Sequence, residues 1–332
     1  MTQTAQYCMH TQSAAALLRQ IRRVGAQSVS GIRSSRLHCA DWRQHVSTHM
    51  REPNFSESQL QQATNTAFIR RVVEQHGVWS FAHVPSLIAE YDLGWDTAFF
   101  LPWLPHAPSP DDEGCNFFIQ YKLSGELTSP GAKEWATWSS PYLRFKIPHS
   151  TKSPAGAFID DYHQWDRLKV LAGKNYPTFY ATNATLQKSD LQHHLAAGTL
   201  LDHIPLLDVR TVTGVHKHVT FTSTSSGFAL HSEKEEVPKL TFSQGIEKVA
   251  SSEQTTLRSS TERLIASLRD LPAGDDGWNQ DLSRLYDQSA NGVPRRLRDW
   301  RQYLQLDYFV RQHLGAQLLW LPKDASQETP SK

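Results

Sequence analysis

No stretch of the chain approaches the roughly 20 continuous apolar residues needed to cross a bilayer, so a membrane-spanning segment is not expected. Cysteine is scarce: Cys8, Cys39 and Cys115 are odd in number and never fall in a C-x-x-C spacing, which excludes a disulfide framework and a zinc ribbon. The phosphate-cradling patterns G-x-x-x-x-G-K-[ST] and G-x-G-x-x-G are missing, as is the nucleophile pattern G-x-S-x-G. Nucleotide hydrolysis, dinucleotide binding and α/β-hydrolase chemistry therefore have no motif behind them. Net charge is only +1, so any nucleic-acid binding must come from local clustering of Lys and Arg. These absences leave a soluble, cytoplasmic chain as the expectation.

Acidic residues are also absent from positions 1–40, which carry Arg19, Arg22, Arg23, Arg33 and Arg36 in a Ser, Gln and Ala background. That composition suits a targeting segment, or a disordered or non-native extension. We take residues 1–49 as lying outside the fold. The remainder, within a chain of 332 residues that is 39% hydrophobic and 20% charged, is long enough for a substantial core. We expect an α/β domain over 50–235 and a mainly helical region over 236–332, the break falling in the charged run "HSEKEEVPKL".

The first helix is signalled by Ser56 and Gln59 as a capping box, with Leu60, Ala63, Ala67, Phe68 and Val72 at helical spacing up to Gly77. A hairpin with a long Pro-rich loop follows, leading into the strand "CNFFIQYKLSG". "PYLRFKIP", bounded by Pro141 and Pro148, suits an edge strand or a crossing segment. Phe158, Tyr162, Trp165, Leu168 and Ala172 form a stripe that predicts a helix over 156–172. "YPTFYATNA" then reads as a strand, 186–197 as a helix, "VHKHVTFTS" as a strand, and Pro294 as the start of a basic helix. The order implies a mixed sheet covered by helices on both faces.

The strand 115–125 poses a problem, because Gln120 and Lys122 sit two apart and so on one face of an otherwise apolar segment. A turn within 105–114 places Asp96 across from Lys122 or Leu123. A carboxylate, an amide carbonyl and an ammonium so placed suit metal-assisted phosphodiester hydrolysis. Asp96 and Gln120 supply oxygen ligands to Mg²⁺ or Mn²⁺, and Lys122 stabilises developing charge.

"GWD" followed by "IQYK" resembles the signature of the PD-(D/E)XK nuclease superfamily, in the Mrr-like variant with Gln in the second half-motif. The stretch is also similar to bacterial defence-associated proteins that run from a Gly-aromatic-Asp turn through F-x-Q-x-K to a Y-x-R-F segment, here "YLRF". The resemblance spans about residues 57–182 and implies a restriction-endonuclease-like mixed central sheet flanked by helices. It further implies an endonuclease that hydrolyses foreign DNA in antiviral defence, with a homo-oligomer or a defence partner protein. It points to Glu90 as an auxiliary catalytic acid, with Glu74 second, and Gln164 matches a Gln found in some branches. The chain departs from the usual pattern in having Trp95 before the Asp and a neutral amide at position 120, which keeps a non-catalytic nucleic-acid-binding or scaffold member of the same fold as the alternative.

Arg144 and Lys146 alternate with Leu143, Phe145 and Ile147, giving a basic face that either grips substrate phosphates or simply guards a sheet edge. His216 and His218 share a face if "VHKHV" is a strand, but no third ligand accompanies them, and His193 and His194 are adjacent on a helix, so zinc is not expected. Trp103, Trp135 and Trp138 would favour an assembly subunit if they formed an exposed patch.

Overall fold

The computed structural model describes residues 50–77, 109–232, 234–271, 276–287 and 295–323. Asp96, Glu90 and Trp103, and the whole of the expected 1–49 extension, lie outside these residues.

In chain order the elements are β1 (Met50–Arg51), α1 (Glu57–His76), β2 (Glu113–Lys122), β3 (Gly125–Leu127), the short α2 (Trp135–Trp138), β4 (Tyr142–Lys146), β5 (His149–Lys152) and β6 (Phe158–Asp161). Next come α3 (His163–Gly173), β7 (Thr178–Thr182), α4 (Lys188–Ala197), β8 (Pro205–Asp208), β9 (His218–Phe221), β10 (Gly227–His231), β11 (Glu235–Pro238) and β12 (Leu240–Thr241). The chain continues with α5 (Phe242–Ala250), β13 (Thr255–Thr256), α6 (Leu257–Leu268), α7 (Asp276–Asp287), α8 (Arg295–Phe309) and β14 (Gln317–Pro322). The architecture is mixed α/β.

Helix starts follow their caps. Ser56 Oγ accepts from the Gln59 amide at 3.2 Å while Gln59 Oε1 accepts from the Ser56 amide at 3.0 Å, the reciprocal pair read from the sequence. Thr241 and Gln244 form a second capping box that starts α5, at 3.2 and 2.8 Å. Gly77 closes α1 in the left-handed region at φ 67°, where a Cβ would be strained.

Two six-stranded sheets carry the fold. One, in the order β1-β3-β4-β9-β10-β11, is antiparallel throughout. β4 is therefore an interior strand, not the edge its flanking prolines suggest: both prolines sit just outside the paired residues, so no ladder hydrogen bond is lost. The other sheet contains β12, β8, β7, β2 and β13, with β14 also paired to β2. Phe118 and Ile119 of β2 pair with Thr178 and Phe179 of β7 in parallel, and with Leu318 and Gln317 of β14 in antiparallel. A strand has two edges, so β7 and β14 flank β2 on opposite sides. The edge along Gly114–Ile119 that the expected hairpin would have used is thus filled by β14, a C-terminal segment.

This pairing also removes the expected break near 236. The described residues form one compact unit, and the C-terminal region, though rich in helix, supplies β12, β13 and β14 to the sheet that holds β2. The stripe predicted as one helix over 156–172 divides instead: Phe158–Asp161 is a strand paired with β5, and the helix begins at His163. Asp161 Oδ1 accepts from the His163 amide at 2.9 Å, turning the chain from strand to helix.

Alternation along β2 sorts its side chains onto two cores. Phe117, Ile119 and Tyr121 pack with Leu60 and Phe68 of α1, Leu191 of α4 and Phe242 and Ile246 of α5. Phe118 packs on the other side with Trp165 and Leu168 of α3, Leu264 of α6, Trp300 of α8, and the inward residues Phe145, Val219 and Phe228 of the antiparallel sheet. Each such aromatic or aliphatic side chain stabilises the fold by about 1.5–3 kcal/mol when fully buried.

Close approach of β14 needs a glycine at the start of β2. A Cβ at Gly114 would lie 2.5 Å from the Leu321 carbonyl oxygen and collide with the Trp320 ring. Gly114→Ala is expected to lower unfolding free energy by about 1–3 kcal/mol in urea melts; an unchanged midpoint would mean that β14 is not seated on β2.

Candidate functional site

The strand that raised the question keeps Gln120 and Lys122 on one face, the face of Phe118, beside the parallel strand β7 that follows α3. Gln120 is 2% exposed and Lys122 8% exposed, so in this conformation the pair is closed off from bulk water. The ends of β2 and β7 are locked together just beyond it. Asn183 Oδ1 accepts from the Ser124 amide at 2.8 Å, and its Nδ2 donates to the carbonyls of Ser124 and Thr185 at 3.0 and 2.9 Å. The hydroxyls of Ser124 and Thr182 meet at 2.6 Å. These side chains continue the strand pairing where the backbones diverge.

Gln120 Nε2 donates to Gln164 Oε1 on α3, while Gln120 Oε1 is buried with no hydrogen-bond partner. An orphaned buried carbonyl costs about 1–3 kcal/mol, and Asn116 Oδ1 on the same face of β2 and the hydroxyl of Tyr180 on the adjacent β7 are left without a partner in the same way. Gln164 in turn is held by Gly315, whose left-handed φ of 60° and missing Cβ leave the space that the Gln164 amide fills. The amide pair therefore joins β2, α3 and the turn leading into β14.

Lys122 has a depressed pKa because burial disfavours its ammonium, a shift opposed by the carboxylate of Glu57. Glu57 is exposed over much of its surface, but its carboxyl end reaches the Leu123 amide at the strand end. Loss of water raises its pKa, and Lys122 and the Leu123 amide pull it back down. Glu57, in the first turn of α1, is thus the carboxylate that this helix brings to Lys122. Glu74, the α1 residue considered from the sequence, is exposed and pairs with Arg70 at 2.8 Å in an i,i+4 arrangement instead. Twenty helical residues span about 30 Å, so the two acids stand near opposite ends of α1.

The reverse face of β2 bears a second polar group that sequence reasoning missed. Tyr121 donates to Asn65 Oδ1 at 2.9 Å, and Asn65 and Gln61 both donate to Gln317 Oε1, at 2.8 and 3.1 Å. It ties α1 to β2 and β14. Asn65 and Gln61 are four apart on a helix, a visible spacing, but nothing in the sequence pairs them with a residue more than 250 positions away.

Arg144 and Lys146 do share a face, as expected from their alternation. Arg144 bonds the buried carboxylate of Glu134 at 3.3 Å, and Lys146 pairs with Asp160 and donates to Ser150 at 2.9 Å. Arg144 stands in register with Gly125, three residues beyond Lys122, so the basic face begins where the β2 strand ends. The histidines do not converge: His216 is buried outside β9 and bonded to Glu235 at 2.8 Å, whereas His218 begins the strand. Among the described residues no group of three or more His, Cys, Asp or Glu is placed to hold a metal. Burial pushes the Cys115 thiol up to about 11, so it is no nucleophile at neutral pH. Trp135 and Trp138 are half-buried against Leu127 and Tyr142 and do not make the exposed patch that an assembly role would use.

Comparison with family models, curated proteins and solved structures gives no match to the chain.

Two measurements probe the site. Gln164→Ala strands both ends of the Gln120 amide and is expected to cost about 1–3 kcal/mol by urea denaturation. For Lys122, the native pKa lies below that of the unfolded chain, so the unfolded state binds more protons and stability rises with pH. The stability of the parent chain relative to Lys122→Met is therefore expected to climb as pH rises through the depressed native value toward 10.5, and to stay flat below it. A difference independent of pH would mean that the ammonium is solvated.

Proposed function

We propose that the chain is a metal-dependent deoxyribonuclease of restriction-endonuclease-like architecture. The observation that carries this reading is the shared face of Gln120 and Lys122 on a strand whose parallel neighbour is reached through α3, with Gln120 Oε1 orphaned on that face. The donors are oxygens, Gln120 Oε1 with the Glu57 carboxyl near Lys122, which is the chemistry a hard divalent ion takes. Asp96 and Gln120 would hold Mg²⁺ or Mn²⁺, which when bound polarises the scissile phosphate and lowers the pKa of an attacking water.

The residues of the chain then have separable tasks. Lys122 sets a positive charge at the strand end, where burial strengthens its attraction for a phosphate oxygen. Glu57 replaces Glu74 as the α1 acid of the site, while Glu90 keeps the auxiliary role implied by the resemblance. Gln164 orients the Gln120 amide so that its nitrogen is occupied and its oxygen points away from α3. Arg144 and Lys146 extend the positive face for the flanking DNA backbone. Cutting of foreign DNA, alone or with a defence partner, is the role that fits.

One observation favours a second reading, a non-catalytic member of the same fold: Gln120 and Lys122 are 2% and 8% exposed, and turnover requires a substrate to reach them. Incubating the protein with supercoiled plasmid and Mg²⁺ or Mn²⁺ separates the two. The nuclease reading expects nicked or linear product that EDTA abolishes and that Lys122→Ala reduces at least about 100-fold. Equal cutting by both proteins removes Lys122 from the chemistry, and no cutting by either favours the binding protein.

A further inference from the structure

The hairpin β5–β6 departs from the rest of the fold in what it exposes. Phe158 is 71% and Ile159 50% exposed, adjacent residues on a two-stranded ribbon, and Val215, close in sequence to the lysine that grips this ribbon, is 56% exposed. Consecutive strand residues point to opposite faces, so each face of the ribbon leaves one large apolar side chain in water, Phe158 on one and Ile159 on the other. The ribbon is ordered by polar anchors. Its turn is closed by Gly156 N donating to the Ser153 carbonyl and Ser153 N to the Ala157 carbonyl, both at 2.8 Å. Asp160 takes Lys146 from β4, and also Lys217 at 2.9 Å.

Register decides what surrounds the ring. Phe158 and Asp160 are two apart on β6, so they share the ribbon face on which Asp160 meets the two lysines. Lys152 stands directly across from Phe158 and carries its ammonium 5.5 Å from the ring centroid. Two ammoniums share the single Asp160 carboxylate, so this end of the sheet keeps a net positive charge. Beyond it the antiparallel sheet places Lys146, His218 and His231, all partly exposed, directly opposite one another across β4, β9 and β10. An exposed aromatic face beside cations at strand spacing is the pairing that single-stranded nucleic acid requires, a π surface for one base and positive charge for the flanking phosphates.

We propose that this face binds single-stranded nucleic acid, with one unpaired base stacked on Phe158 and the adjoining phosphates held by Lys152, Lys146 and Lys217. A single strand is specified because a base within a duplex has its faces covered by its neighbours. The site shares Lys146 with the basic face assigned above to the DNA backbone, but Phe158, Lys152 and Lys217 belong to it alone and strand binding there does not depend on cleavage at Gln120 and Lys122.

The test uses the full chain in EDTA, where no metal-dependent cutting interferes, with a labelled oligothymidylate of about 12 nucleotides read by fluorescence anisotropy. Phe158→Ala is expected to weaken binding by about 5- to 150-fold, the range for loss of one base–aromatic stack. Phe158→Trp is expected to restore affinity and to show fluorescence quenching on addition of the strand. Lys217→Ala is expected to lower the slope of log K against log salt by about one. Phe158 is largely solvent-exposed, so matching thermal melts for the variants will show that any loss is not unfolding. Undiminished binding by Phe158→Ala would overturn the proposal. So would binding confined to duplex DNA or to anionic phospholipid vesicles. Plasmid cutting with Phe158→Ala indistinguishable from the parent in the anisotropy assay would leave the nuclease reading intact and remove this one, and the converse result would do the reverse.

Discussion

Everything in this fold is arranged around one constraint, the enclosure of β2 between two hydrophobic cores and two neighbouring strands. A strand so placed normally carries apolar residues on both faces, because a polar atom there loses water and must find another partner. Gln120 and Lys122 break that pattern. The amide is met on one side by Gln164, the ammonium is opposed in charge by Glu57, and the Gln120 carbonyl oxygen is left over. The neighbouring elements supply the remaining support: Asn183 and Thr182 lock the strand end, and on the reverse face Asn65 accepts from Tyr121 and, with Gln61, donates to Gln317.

Enclosure has a direct electrostatic consequence. Moving an ammonium from water into a crowded strand end lowers its pKa, and the same crowding raises that of the carboxyl beside it. Each shift is opposed by attraction to the other group, so a charge arriving beside them would alter the balance at both. A phosphate or a divalent ion would do so, which links the packing of the strand to the chemistry proposed for it. Burial of the pair is what a scaffold protein would also display, and access, rather than the identity of the residues, separates the two readings.

The polar face around Arg144 shows a different balance. Arg144 and Lys146 are half-exposed and tied to Glu134 and Asp160, so much of their charge is used within the fold. The Arg144 pair is made with a buried carboxylate, whereas the Lys146–Asp160 pair lies at the surface and fixes where the β5–β6 ribbon sits. That ribbon then holds Phe158 in water beside the Lys152 ammonium. Its exposure has no packing purpose.

Local signals were the ones legible without coordinates. The Ser56–Gln59 cap, the helix it opens, the strand character of 115–122, and the common face of Gln120 and Lys122 follow from hydrogen-bonding geometry and side-chain period, which act over a few residues. The stripe from Phe158 to Ala172 misled because two elements in succession happened to place aromatics at helical spacing, while the Asp161 turn between them left only a single-residue trace. Prolines beside 142–146 suggested an edge, yet a proline outside the paired residues costs the ladder nothing. What tertiary structure alone decided was partnership at long range: β14 taking the edge of β2, Gln164 taking its amide, and Glu57 rather than Glu74 standing by its lysine. Sequence period determines which way a side chain points from its own backbone. Which backbone arrives to meet it depends on how distant segments pack to bury their apolar faces, and no local spacing encodes that.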